Sequence, residues 1–304
     1  MRKLLLAAAV TALMASPASA LNFQFRTLDN PGDPTFNQLL GINDYGVIVG
    51  YFGSGLAGHP NIGYEIAPPY TTFTPNMQPG SVQTQATGIN NSGVTTGFWS
   101  DTDTGTDANF AFVRTRIGGN FQYVSTIDPL TASTPRVSQA LGINNSNIVV
   151  GFYNDAGGAS HGFAYNLNTA AYLPITISGA SSSAVTGIND DDEICGFLID
   201  AKTNVTAGYV KNALGITRVS YPHAGTTQLL GINNEGVAVG FYIGPDAVMH
   251  GAYYTPDSPT LITVNVPGAI NGTVLNGINN RGQIVGFYTD AANLTHGVLV
   301  TVTP

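Results

Sequence analysis

A twelve-residue motif returns at near-regular intervals along this chain, and that confines the fold to architectures built from equal units. The motif reads GINDYGVIVGYF from Gly41, GINNSGVTTGFW from Gly88, GINNSNIVVGFY from Gly142, GINDDDEICGFL from Gly187, GINNEGVAVGFY from Gly231 and GINNRGQIVGFY from Gly277. The spacings are 47, 54, 45, 44 and 46 residues, the range of a propeller blade with four strands. Two weaker echoes fill each interval. One is HGFAY at His161, AGYVK at Ala207, HGAYY at His250 and HGVLV at His296; the other is TVNVPGA at Thr263, VSYPHA at Val219 and QPGS at Gln78. Each repeat thus holds four short apolar-alternating segments separated by turn residues, which is a strand signature. No segment has a helical period.

The motif's chemistry fits a hairpin between the first two strands. In Asn233-Asn234-Glu235-Gly236 an Asn opens a four-residue turn and Gly takes the last, positive-φ position, as a type I turn with a bulge requires. The six motif asparagines (Asn43, Asn90, Asn144, Asn189, Asn233, Asn279) are expected to bond backbone groups of their own turns, with a ligand-facing ring of amides as the alternative. The second glycine of the motif, at 50, 97, 151, 196, 240 and 286, lies inside a strand, where it marks close approach by another backbone or an aromatic ring.

The chain ends point to a closed ring. From Gly277 to Pro304 there are 28 residues and from Leu21 to Leu40 there are 20, together one repeat. NFQFRTLDNPGD at Asn22 matches the segment TLITVNVPGA, which the last repeat lacks. The expected fold is therefore all-β, a six-bladed β-propeller of four-stranded blades in which the N-terminal strand completes the last blade and removes the open edges.

The sequence GIN-N-x-G-x-I-V-G-F/Y, followed by HGF and then a V-P-G-A turn, resembles the HAF-repeat proteins of bacteria, across essentially the whole of residues 21–304. The resemblance implies export and a propeller-like fold, and no shared chemistry. Asn147 and Asp192 depart from it at the turn glycine, and Phe110 and Ala207 at the HGF histidine.

Residues 1–20, MRKLLLAAAVTALMASPASA, read as a secretory signal peptide cleaved after Ala20, with Arg2 and Lys3 before an apolar run and Ala18-Ser19-Ala20 at its close. Residues 21–304 then form one domain, secreted or periplasmic and expected to be monomeric. No later stretch reaches the ~18–20 apolar residues of a membrane span. Cleavage leaves 8 basic and 18 acidic residues, a net charge of −10, and Arg114 with Arg116 is the nearest approach to a basic cluster, so nucleic acid is not an expected partner. Cys195 stands alone at a strand position held by valine in other repeats and reads as a core residue.

No G-x-S-x-G, H-E-x-x-H, CxxC or phosphate-cradling loop is present. Asp101, Asp103 and Asp107 in DTDTGTD place oxygens at alternate positions, somewhat as a calcium loop does, but Gly105 stands where a third ligand belongs and no bidentate Glu follows. No other cofactor is expected. Asp190, Asp191, Asp192 and Glu193 crowd one hairpin turn as a second candidate metal site, and for both acidic stretches a solvated turn is the expected reading.

Comparison among the repeats singles out a pair. The residue two after the strand glycine is Phe52, Trp99, Tyr153, Leu198, Tyr242 or Tyr288, and the residue ten after it is histidine only at His161, His250 and His296. Tyrosine and histidine therefore occur together in repeats three, five and six, at positions that face each other across a hairpin. A Tyr–His hydrogen bond pinning the loop is one expectation. The other is a set of rim pockets suited to sugar, formed by Tyr153, His161, Tyr242, His250, Tyr288 and His296, with Trp99 as a further aromatic. The sequence points to an exported binding propeller for an extracellular or cell-surface glycan or other surface polymer; the alternative is a polysaccharide-directed hydrolase or lyase with its site at the channel mouth.

Overall fold

The computed structural model describes residues 21–303 apart from 105–107, 119 and 125–132. The expected signal peptide at 1–20 and Asp107 of the acidic loop lie outside the described residues. Those residues form 24 strands and no helix, and so none long and apolar enough to cross a membrane.

The strands group into six antiparallel four-stranded blades. Blade one covers residues 37–75, blade two 83–124, blade three 138–175, blade four 180–219 and blade five 226–263. Blade six takes three strands from 272–303, and its fourth is the N-terminal strand Asn22–Thr27, which runs antiparallel to Thr295–Thr303 with Asn22 opposite Thr303 and Thr27 opposite Val298. Blades four and five share one parallel bridge, Thr206 to Thr226, which links them into an eight-stranded sheet. Phe36–Thr295 and Asn109–Val137 are parallel bridges of the same kind between other neighbouring blades.

The motif hairpins form as their residues dictate. The fourth turn position has positive φ in all six repeats: Gly46, Gly93, Gly236 and Gly282, and also Asn147 (63°) and Asp192 (61°), residue types that tolerate the left-handed region. The strand glycine is required by packing against the innermost strand. A Cβ on Gly240 would sit 1.9 Å from the Gln228 carbonyl oxygen, and one on Gly97 would meet Gln85 O at 2.1 Å and the Phe112 ring at 2.7 Å.

The first motif glycine has a role the repeat pattern did not reveal. Around the axis a Cβ on Gly41 would meet the Gly88 Cα at 2.9 Å, and the relation passes on through Gly142, Gly187 and Gly231 to Gly277, whose Cβ would lie 3.3 Å from the Gly41 Cα. Six inner strands can converge this closely only without side chains there. Immediately before each of these glycines the register slips at a β-bulge, as between Leu39 and Gly41 or Leu275 and Gly277. The bulge re-aims the extra residue, and the six such residues, Leu40, Thr87, Leu141, Thr186, Leu230 and Asn276, all line the axial cavity.

Apolar burial is concentrated between blades. Val150, Val185, Leu198 and Tyr209 join blades three and four; Leu39, Ile48, Tyr64, Val285 and Leu299 join blades six and one. Cys195 is fully buried among Val210, Leu229 and Ala252, and burial pushes its thiol up to about 12, so it is an inert core group. Between blades one and two the apolar cluster shrinks to Val49, Ala86 and Ile89. The buried Arg114 is paired there with Glu65 and lies 4.1 Å from the Phe121 ring centroid.

Candidate functional site

The two faces of the propeller are chemically different. On the turn face each motif asparagine accepts two backbone N–H bonds within its own turn and donates to its counterpart in the next blade. Asn43 Oδ1 accepts from Tyr45 and Val47 at 3.0 Å, while Asn43 Nδ2 donates to Asn90 O at 3.1 Å. The same donation continues from Asn90 to Asn144, Asn144 to Asn189, Asn189 to Asn233, Asn233 to Asn279, and Asn279 back to Asn43 at 2.9 Å. These amides serve the turns, as expected, and also tie each blade to the next.

A second circle stands outside it, formed by Asp44, Asn91, Asn145, Asp190, Asn234 and Asn280. Each backbone N–H bonds the next side-chain oxygen at 2.8–3.0 Å. Asp44 and Asp190 each accept amide donors from both neighbours, so the INDDDE aspartate is a member of the ring as well as of an acidic turn. Asp192 and Glu193 likewise accept from Asn144 and Asn189. Desolvation alone would raise Asp44, but bonds from Asn91 and Asn280, with Arg281 nearby, hold it below the ordinary carboxylate range. Such a carboxylate is no proton donor near neutral pH.

On the opposite face the tyrosines and histidines stand in direct register: Tyr153 with His161, Tyr242 with His250, Tyr288 with His296. Their contact is ring against ring, with centroids 5.4, 5.0 and 5.1 Å apart. The histidine hydrogen bonds go elsewhere than to the paired tyrosine. His161 Nε2 donates to Asp155 at 2.7 Å and His250 Nε2 to Asp246 at 3.1 Å. His296 donates to Asp29 through Nδ1 at 2.8 Å and to Asp290 through Nε2 at 3.4 Å. Asp155, Asp246 and Asp290 each also accept N–H bonds from their own hairpin loop. The pair therefore pins its loop by stacking plus an aspartate rather than by the expected Tyr–His hydrogen bond. Tyr242 has no ring face left: His250 covers one side and Tyr221 stacks at 3.7 Å, and Tyr242 is 4% exposed.

In blade two the same register holds Trp99 opposite Phe110, with centroids 4.6 Å apart and no histidine. Trp99 and Phe98 line a cavity of about 380 Å³ where blades one, two and three approach, together with Ser54, Asn61, Gln83, Gln85, Ser100 and Pro135. The buried Asn61 Oδ1 and the Trp99 indole N–H have no hydrogen-bond partner. The half-buried Gln85 carboxamide makes no hydrogen bond to another described residue. Flat rings beside uncommitted amide groups, those of Asn61 and Gln85, can stack on and hydrogen-bond a polyol. Of the sequence candidates only Trp99 lies here. Gln85 was missed, although glutamine recurs at its position as Gln38, Gln139 and Gln228. Asn61 and Ser54 come from an interblade meeting that no repeat pattern encodes.

Asp103 of the acidic loop accepts the Gly58 N–H at 2.9 Å. Among the described residues no group of three or more His, Cys, Asp or Glu is placed to hold a metal ion.

No model of a known protein family matches the chain, and no curated protein matches it. Solved structures do resemble it. A triple mutant of AofleA from Arthrobotrys oligospora superposes with a TM-score of 0.55 at 8% identity, covering 94% of this chain and 88% of that one. An Aleuria aurantia lectin mutant in complex with Fucalpha1-6GlcNAc gives 0.54 at 8% identity, over 89% and 95%. Trypanosoma rangeli sialidase in complex with the inhibitor DANA gives 0.50 at 10% identity, over 88% of this chain and 54% of that one, so this chain spans about half the sialidase's length. At these identities the likeness is one of fold.

Proposed function

We propose that this chain is an exported glycan-binding propeller, with its binding site in the Trp99 cavity on the face away from the GIN turns. The observation that carries this reading is the cavity itself: two aromatic rings beside amides and hydroxyls, with Asn61 Oδ1 and the Trp99 indole N–H left without a partner. Sugar recognition calls for that combination, because a pyranose offers an apolar C–H face and a fringe of hydroxyls that both donate and accept. The folds it resembles include a lectin in complex with Fucalpha1-6GlcNAc, which supports a carbohydrate ligand by analogy. Export rests on residues 1–20 and on the resemblance to HAF-repeat proteins.

The described residues lining the cavity hold no carboxylate pair of the kind glycoside hydrolysis uses. That favours binding over glycoside hydrolysis in this cavity. The test is a glycan array run on residues 21–304, with array hits then incubated and assayed for new reducing ends or unsaturated products. Capture without products is the expected result. Products would move the chain to the enzyme reading, and an empty array would sink the carbohydrate reading.

A further inference from the structure

The Trp99 cavity does not stand alone. It shares Gln85 and Phe98 with the axial mouth on the same face, a second cavity of about 210 Å³ lined by Leu40, Leu141 and Leu230 together with Thr87, Thr186 and Asn276. The three leucines come from blades one, three and five and alternate around the axis with the three polar residues. Those polar groups turn sideways. Thr87 Oγ1 donates to Ala140 O at 2.7 Å, Thr186 Oγ1 to Leu229 O at 2.8 Å and Asn276 Nδ2 to Leu39 O at 2.9 Å. Each is thereby engaged by the neighbouring blade, and the lining that remains is the three leucines and Phe98, with Gln85 and Gln139. Below it the axis narrows to a throat of about 70 Å³ lined by motif glycines and isoleucines.

Two adjoining compartments thus have different chemistry. One is polar and aromatic, the other chiefly apolar and narrow at its base, and none of the described residues lining either is Asp, Glu, His, Lys or Arg. Together they fall within the ~300–1,000 Å³ range of small-molecule sites. A ligand filling both needs a hydroxylated part and a short apolar appendage, and no opposite charge among the described lining residues would pair a buried carboxylate or ammonium. We infer that the two cavities form one site for a neutral, acylated oligosaccharide, its sugar rings against Trp99 and Phe98 and the methyl of its acyl group in the leucine-lined axial mouth. This inference rests on the glycan-binding reading above and specifies the ligand class of that site.

The experiment titrates the protein calorimetrically with N,N′-diacetylchitobiose, with cellobiose, which has the same β-1,4 linkage and no acyl groups, and with a digalacturonate as an anionic probe. The expected result is at least tenfold tighter binding of diacetylchitobiose than cellobiose, with digalacturonate weakest. Leu230→Asn, which places an amide in the axial mouth, should narrow the acyl preference to within threefold. Leu141→Asn provides a second variant should the first fail to fold, and melting curves establish that the protein titrated is folded. Equal affinity for the two neutral sugars, preference for the anionic one, or an acyl preference unmoved in a folded variant would overturn the inference while leaving glycan binding intact. Failure of all three sugars and of the glycan array would remove both readings together.

Discussion

Trp99 in blade two and Tyr242 in blade five occupy the same place in the repeat, two residues after the strand glycine, yet their surroundings differ. Tyr242 is 4% exposed, held between His250 and Tyr221, with its hydroxyl 2.8 Å from Thr263 Oγ1. Trp99 pairs with Phe110, lacks the histidine–aspartate clamp, keeps an unpartnered N–H and borders an open cavity. The repeat decides where a ring stands, while its neighbours decide whether a face remains free. Tyr221 belongs to the connection between blades four and five, which varies from one repeat to the next.

The comparison breaks most visibly at Tyr242. Tyr242→Ala removes a ring packed on both faces and should cost about 3–5 kcal/mol, as other large buried aromatics do, while glycan affinity of the folded protein stays unchanged; urea denaturation and calorimetry read the two separately. Lost affinity in a protein of parental stability would erase the distinction between the two rings. Next in size is Asn279→Ala on the turn face, which deletes the bonds to Asn43 O and to the Arg281 and Gln283 amides at about 3 kcal/mol, again without effect on ligand. Trp99→Ala reverses the pattern. Its half-buried ring should cost about 1–2 kcal/mol of stability, and affinity should fall at least tenfold, equivalent to about 1.4 kcal/mol.

The smallest effect concerns His296. Desolvation would lower its pKa, but bonds to Asp29 and Asp290 outweigh that and raise it above the ordinary value. Because the folded pKa is the higher one, its stabilising contribution is fully present below about pH 6.5 and is lost as pH rises through the folded pKa. Asp29 belongs to the segment following the N-terminal strand, so this pair fastens the two chain ends. The melting temperature should drop by a few degrees at most between pH 6 and pH 8.5, and His296→Gln should flatten that component of the profile. A parental profile in the variant would remove the fastening role.

The sequence by itself determined what backbone pattern and local chemistry control. The period set the number of blades; the Asn-x-x-Gly turns set the hairpins, including Asn147 and Asp192 in the left-handed position; the strand glycines announced a close backbone; the spacing of tyrosine and histidine placed them in register; and NFQFRT declared itself the missing strand of blade six. Each of these follows from residues within about ten positions, or from comparing one repeat with another, where hydrogen-bond period and turn geometry suffice. The tertiary structure decided what depends on rotating one blade against the next. It brought Gly41 against Gly88 and Gly277 against Gly41, turned Leu40, Leu141 and Leu230 toward the axis through bulges, carried each motif amide to the following blade, and covered Tyr242 while leaving Trp99 beside Asn61 and Gln85. Those contacts join residues a whole repeat apart, and the angle between packed sheets, which decides which side chains meet across it, is set by the summed packing of the ring and written in no single segment.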